Sequence, residues 1–359
     1  MAITQEQVLE ALRNVDDPDL KKDIVTLNMV RDVTIDGNRV SFRIVLTTPA
    51  CPMKEMIHKA AKNAILHFVD KNADVNIVMD AEVTAKAPGK FALPGVKNII
   101  AVSSGKGGVG KSTVASNLAV ALVMQGAKVG LVDADIYGPS IPILFDVVNE
   151  RPLAINVDGV NRMKPIESYG VKLNSVGFMA APDQAIPWRG PMASKALNEI
   201  ISGTHWGELD YLIIDMPPGT GDIHLSIVSN VSVTAAVIVS TPQNIALSDT
   251  KRGINMFQMP QVNVPILGIV ENMAYFTPAE LPNNKYYIFG RDGGQNLAAK
   301  LGVPLLGQIP LVQSICESGD AGRPVVLQED TPQALAFRSL AQTIAQQIAI
   351  SNVHEPQLS

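Results

Sequence analysis

Two rhythms of apolar and polar residues run along this chain, and one gives way to the other near residue 90. In the first stretch Val40, Phe42, Ile44 and Leu46 alternate with Ser41 and Arg43, the period-two pattern of a strand with one buried face. Val30 to Ile35 reads as a strand before it, and Asp36-Gly37-Asn38 between them is a hairpin signal. Val75, Ile77, Met79 and Val83 alternate as a third strand. Helical spacing occurs twice. Val8, Leu9 and Leu12 follow the capping-box pair Thr4 and Gln7, and Met53, Met56, Ile57, Ala60 and Ala64 follow Cys51-Pro52. The predicted order α-β-β-α-β makes residues 1–87 a small α+β domain. Two Pro-Gly pairs and no period between Lys86 and Gly95 mark a linker, placed at 88–95.

From residue 96 the rhythm is of short, nearly continuous apolar runs separated by helical patterns. The runs are Ile99–Val102, Val129–Val132, Tyr211–Ile214, Ala235–Val239, Ile266–Val270 and Leu305–Ile309. Strands buried on both faces of a parallel sheet read this way. Val114, Leu118, Ala121 and Leu122 share one side of a helix that stops at Gly126. A last helix opens at Thr331-Pro332 and carries Phe337, Leu340, Ile344 and Ile348. The expected fold is an α/β domain over 96–350, with a mostly parallel sheet flanked by helices, and a disordered tail at 351–359.

The chemistry concentrates after the first of those runs. Gly105-Lys106-Gly107-Gly108-Val109-Gly110-Lys111-Ser112-Thr113 contains Gly-x-x-x-x-Gly-Lys-Ser between a strand and a helix, the setting of a phosphate-binding loop. Glycines let the backbone wrap a phosphate, and the N–H groups of the loop and of the helix start face the anion. Lys111 is expected on the β- and γ-phosphates of ATP and the Ser112 hydroxyl on Mg²⁺. Tyr211 to Asp215 is an apolar strand ending in a carboxylate, so Asp215 is expected in the Mg²⁺ shell. Pro217-Pro218-Gly219-Thr220-Gly221-Asp222 after it reads as a switch segment sensing the γ-phosphate. Leu131-Val132-Asp133-Ala134-Asp135 is a further strand end; Asp135 is the candidate to position the attacking water or the metal shell, while either aspartate could instead cap the next segment.

These motifs, with Trp188-Arg189-Gly190-Pro191-Met192, Thr241-Pro242-Gln243 and Val270-Glu271-Asn272-Met273, resemble the deviant Walker A ATPases of the ParA/MinD group, and above all the Mrp/ApbC-type iron–sulfur cluster carriers. The N-terminal domain resembles the SufT/PaaD-like domain in Asp17-Pro18-Asp19-Leu20, Asp23-Ile24-Val25 and Thr47-Thr48-Pro49-Ala50-Cys51-Pro52. The resemblance implies a P-loop NTPase acting as a homodimer, slow ATP hydrolysis, and delivery of clusters to apoprotein clients together with iron–sulfur assembly proteins. It implies that Lys106 crosses the dimer interface to the partner's nucleotide and that Asn272 recognises adenine. On residue type alone Lys106 could instead be a solvated loop lysine. The family's Cys-x-x-Cys after Asn-Met-x-Tyr-Phe is missing: Tyr275-Phe276 is followed by Thr277-Pro278-Ala279-Glu280. Cys51 is the remaining candidate cluster ligand. It is expected at a helix N-terminus that favours thiolate, with a small buried apolar residue as the alternative.

Composition narrows the partners. A net charge of −5 offers no general pull toward nucleic acid or anionic membrane. No apolar run approaches the roughly 20 residues of a membrane span. Two cysteines, Cys51 and Cys316, make no disulfide framework, and a cytoplasmic location is expected. The histidines at 58, 67, 205 and 224 stand singly and suggest no metal pair. Two rival readings stay open. One is a ParA/MinD-like spatial organiser, for which the last helix lacks basic residues; the other is an ATP-gated scaffold that binds no cluster itself.

Overall fold

The computed structural model describes residues 3–85, 92–179, 188, 190–278, 280–281 and 283–354, with the side chains of Asp222 and His354 left out. The chain forms two compact units, Met1–Ala85 with Ala345–Ser359, and Lys86–Ile344.

In the first unit the Thr4 capping box is formed in both directions, opening the helix Gln5–Leu12. Val30–Asp36 runs antiparallel to Arg39–Leu46, which pairs in parallel with Asp74–Ala81. A parallel pair needs a crossover, and the helix Lys54–Phe68 supplies it. Val8, Leu12, Phe42, Ile44, Ile57, Ala61 and Ile65 close the core between this sheet and the two helices. The α-β-β-α-β order is therefore present, with two short paired strands, Asp16–Asp17 and Lys22–Asp23, added before the hairpin.

The second unit is built on eight strands in the order Ile166–Ser168, Val171–Ser175, Val129–Asp133, Leu209–Pro218, Val96–Ser104, Ala235–Ser240, Ile266–Glu271 and Leu305–Gln308. All neighbours are parallel except the edge strand Ile166–Ser168. Five of the central strands are buried along nearly their whole length, which is why they appear as apolar runs rather than alternations. The helix Lys111–Met124 is buried on every side from Val114 to Leu122 rather than along one stripe. Val96–Ser104 lies centrally, and the chain goes from it to Val129–Asp133, two places away, before returning to fill the gap. Such a reversal opens a crevice at the carboxyl ends of the strands, where α/β sheets bind ligands.

Two boundaries differ from expectation. The last helix runs from Pro332 to His354, so Ser351 to His354 are helical rather than a tail; residues 355–359 lie outside the described residues. The chain from Ala345 onward joins the first unit instead of ending the α/β unit at 350. There Gln346 Nε2 donates to Asp19 Oδ1 at 2.6 Å and Asn352 Nδ2 to the Thr84 carbonyl at 2.9 Å. These contacts join residues far apart in sequence, so local pattern does not reveal them. The first half of the expected linker, 88–91, also lies outside the described residues.

Candidate functional site

The glycine loop turns the chain from the strand Val96–Ser104 into the helix Lys111–Met124. Gly110 caps the helix at φ +80°, a left-handed conformation that a Cβ disfavours, and a Cβ there would also overlap the Asn272 amide. Gly105 serves close approach instead: a Cβ would overlap the backbone of Asp249 and Thr250. Gly107 and Gly108 stand exposed at the mouth. The first N–H groups of the helix have no intrahelical acceptor, so they are free to cradle an anion.

Lys111 is buried at the foot of this cradle. Its ammonium donates to Asp215 Oδ1 at 2.6 Å and to Ser112 Oγ at 3.3 Å, and lies 3.6 Å from Asp135 Oδ2. Asp215 lies completely buried three residues before the end of the strand Leu209–Pro218. Burial pushes its carboxyl above the ordinary range, while the Lys111 ammonium works in the opposite direction. Asp215 Oδ2 has no hydrogen-bond partner among the described residues. A buried carboxylate oxygen without a donor, beside a serine hydroxyl, is an oxygen set that suits a hard divalent cation, so Ser112 and Asp215 fit Mg²⁺. The switch segment is tied to the loop. Pro218 pairs with Ser104 after a register shift, and the Gly219 N–H donates to the Ser104 carbonyl at 2.9 Å.

The structure separates the roles of the two aspartates at the neighbouring strand end. Asp133 Oδ1 accepts from the Asp135 N–H at 3.2 Å, and its Oδ2 accepts from the Ile141 N–H at 3.1 Å and the Ser175 hydroxyl at 3.0 Å. Asp133 thus holds the segment that follows it, which leaves Asp135 facing Lys111. Burial first, and the Asp215 charge second, push the Asp133 carboxyl up to about 7. Ser175 escapes a reading of the sequence because its strand, Val171–Ser175, is too mixed in polarity to stand out as an apolar run.

Asn272 follows the strand Ile266–Glu271, and its Nδ2 donates to the Val109 carbonyl at 2.8 Å. It therefore clasps the glycine loop. Lys106 is exposed, and none of the ion pairs among the described residues includes it. His224, a solitary histidine by sequence, is buried beside the switch segment, and its Nε2 donates to the Pro217 carbonyl at 2.8 Å. Its place two residues after Asp222 was the available signal. Arg189, and the side chain of Asp222, lie outside the described residues.

Of the two expectations for Cys51, its half-buried surroundings favour the apolar side chain over the activated thiolate. The helix starts at Lys54 with Met53 as its cap, so Cys51 lies outside the first turn, where the dipole effect fades. Burial pushes the thiol up, and the Asp17 and Asp19 carboxylates add to this against the Met53 and Lys54 N–H groups. Cys316 is exposed on the helix Gln313–Asp320. Just before the place of the missing cysteine pair, Phe276 bridges to Tyr286 and Leu311, and the Lys285 ammonium sits 4.0 Å over the Tyr275 ring. Among the described residues no group of three His, Cys, Asp or Glu can hold a metal ion. The protein's own thiols do not fit a cluster held by four cysteines. No helix among the described residues is long and apolar enough to cross a membrane.

Residues 95–345 match the model of the NUBPL iron-transfer P-loop NTPases, and residues 5–78 match that of an iron–sulfur cluster assembly protein. The chain is 46% identical to the iron–sulfur cluster carrier protein of Synechocystis sp., over 97% of this chain and 99% of that one. It is 43% identical to the carrier of Escherichia coli K12, over 95% and 91%, and 47% identical to the iron–sulfur cluster transfer protein NUBPL of Dictyostelium discoideum, over 74% and 81%. Among solved structures, a nucleotide-binding protein from Archaeoglobus fulgidus in complex with ADP superposes with a TM-score of 0.57 at 37% identity, covering 67% of this chain and 92% of that one. The Pyrococcus furiosus cell division ATPase MinD follows at 0.50 and 27%, covering 69% and 98%. The glycine loop, the buried lysine and the carboxylate strand end thus stand in a chain that belongs, over almost its full length, to the iron–sulfur cluster carrier family of P-loop NTPases.

Proposed function

We propose that this protein hydrolyses Mg·ATP and uses its nucleotide state to govern the passing of iron–sulfur clusters to apoproteins in the cytoplasm. The observation that carries the ATPase reading is the placement of Lys111. A buried ammonium at the base of a glycine cradle, paired with the Asp215 and Asp135 carboxylates, is ready to exchange them for phosphate oxygens. A divalent cation between Ser112 and Asp215 would neutralise charge on the β- and γ-phosphates. Asp135, facing Lys111, would orient the attacking water. The P–O bond to the leaving phosphate breaks as the water oxygen bonds to phosphorus, giving ADP, phosphate and a proton. Asn272 keeps Oδ1 available for the adenine amino group while its Nδ2 holds the loop. The exposure of Lys106 supports a role across a homodimer, where its charge would reach the partner's nucleotide as an arginine finger does.

The cluster is cargo in this reading. With two cysteines in the whole sequence, clients or assembly proteins would supply most of its sulfur ligands. The same count favours a second reading, an ATP-gated scaffold that brings donor and client together without ligating the cluster. The test has two parts. ATP turnover is measured on the wild type and Lys111→Ala, and absence of turnover in the wild type refutes the ATPase. Cluster transfer from a loaded assembly scaffold to an apoferredoxin is followed by absorbance with ATP or ADP. Equal rates with ATP, with ADP and without the protein refute the carrier function. Anaerobic reconstitution with iron and sulfide then separates the readings, since a carrier acquires iron that Cys51→Ala loses and a scaffold acquires none.

A further inference from the structure

His224 is buried to 1% exposure, yet neither the nucleotide cradle nor the cation site uses it. Its surroundings give it a specific task. The strand Leu209–Pro218 keeps register with Val96–Ser104 as far as Asp215, then shifts before Pro218. The Pro217 carbonyl leaves the ladder within this irregularity and accepts from His224 Nε2 at 2.8 Å. The His224 backbone N–H donates to the Gly221 carbonyl at 3.0 Å. One residue in the first turn of the helix Asp222–Asn230 therefore holds both ends of Pro217–Gly221, the stretch whose Gly219 is tied to the glycine loop.

A carbonyl oxygen only accepts, so Nε2 carries the proton. Nδ1 is buried and has no hydrogen-bond partner among the described residues. Burial first, and the Lys111 charge as a smaller influence, lower the tendency of the ring to charge, while the Pro217 and Gly221 carbonyls favour it. The stretch carries two glycines, Gly219 at φ +92° and Gly221, where the backbone torsions are least restricted. The helix Asp222–Asn230 packs Ile227 into the same core as Ala193 and Leu197 of the helix Gly190–Ser202.

We propose that His224 is a positioning residue for ATP hydrolysis: its neutral ring, through Nε2–H, pins the Pro217 carbonyl so that only the Gly219–Gly221 tip responds to the γ-phosphate. This rests on the ATPase reading. Counting bonds from Cγ, glutamine places its amide nitrogen where His224 has Nε2, and asparagine places it where His224 has Nδ1. In the full-length protein, His224→Gln is expected to keep kcat within about 2-fold, whereas His224→Asn and His224→Ala lose about 10-fold, the scale of one hydrogen bond. KM for ATP and the affinity for Mg·ADP stay unchanged in all three. Loss in the glutamine variant equal to that in the other two, no loss in any variant, or weakened Mg·ADP binding parallel to kcat each overturns the assignment. Nitrogen-15 spectra of the wild-type ring between pH 6.5 and 8 provide an arm independent of turnover. A neutral Nε2–H tautomer is expected, and an Nδ1–H tautomer or a cationic ring overturns the proposal. If the wild type hydrolyses no ATP, the ATPase reading fails, and the spectra alone decide how the ring is held.

Discussion

Lys111→Met separates the structural duty of the lysine from its chemical one. Methionine keeps much of the apolar stem but leaves Asp215 buried with no counter-ion. The carboxylate can escape only by taking up a proton. Raising protonation from the ordinary value of 3.8 to pH 7 spans about 3 pH units. At about 1.4 kcal/mol per unit this caps the cost near 4 kcal/mol, within the ~3–5 kcal/mol expected when a buried ion pair loses one partner. At pH 5 the cap falls to about 1.5 kcal/mol. The sign follows from linkage: a carboxyl held above its unfolded value binds its proton more tightly when folded, so folding stability is lost as pH rises. In a unit of this size each kcal/mol moves Tm by about 2–4 °C, giving a loss of ~8–16 °C at pH 7 and ~3–6 °C at pH 5. Thermal unfolding followed by circular dichroism at the two pH values measures this. The double variant Lys111→Met/Asp215→Asn removes the charge in a near-isosteric way and is expected to recover most of the pH 7 loss, with ATP turnover abolished in both. Equal Tm losses at pH 5 and pH 7, or a double variant no more stable than the single, would refute the account of Asp215 as an orphaned charge.

Lys106→Gln removes an exposed charge, so its stability is expected to stay within about 0.5 kcal/mol of wild type while turnover falls by about 10²–10³-fold; unchanged turnover would return Lys106 to a solvated loop lysine. Asn272→Ala cuts the clasp on the Val109 carbonyl, costing about 1 kcal/mol in chemical denaturation and raising KM for ATP about 10-fold; an unaltered KM would remove Asn272 from the nucleotide site. Asp133→Asn abolishes a carboxyl whose folded value is pushed to about 7, so the stability of wild type relative to the variant should fall as pH rises from 5 to 8. A difference constant over that range contradicts the burial argument. Cys51 should react with a thiol reagent more slowly at pH 8 than an unperturbed cysteine because burial raises its thiol, and faster reaction would restore the activated thiolate.

Much of this protein was determined by local sequence alone. The phosphate loop was legible because its function is a backbone shape: glycine where φ is positive or where another backbone approaches, lysine and serine at a fixed offset behind it. The central strands were legible because burial on both faces of a parallel sheet leaves no room for polar residues. The Thr4 capping box and the Asp36-Gly37 hairpin are likewise settled within a few residues. Tertiary structure decided what depends on distant residues meeting. Only the packed sheet brings Asp215 to Lys111 across 104 positions, and Asn272 to Val109 across 163. It also assigned Asp133 to Ser175 and left Asp135 facing the lysine, a choice that two aspartates on one strand end could not express. The two readings of Cys51 could not be separated from sequence for the same reason: adjacency to a helix is a sequence property, but desolvation and two nearby carboxylates are properties of the fold. The helix Pro332–His354 was visible as a repeat of apolar residues, whereas the union of its last turns with the first unit rests on Gln346 meeting Asp19 and Asn352 meeting Thr84, contacts with no local signature.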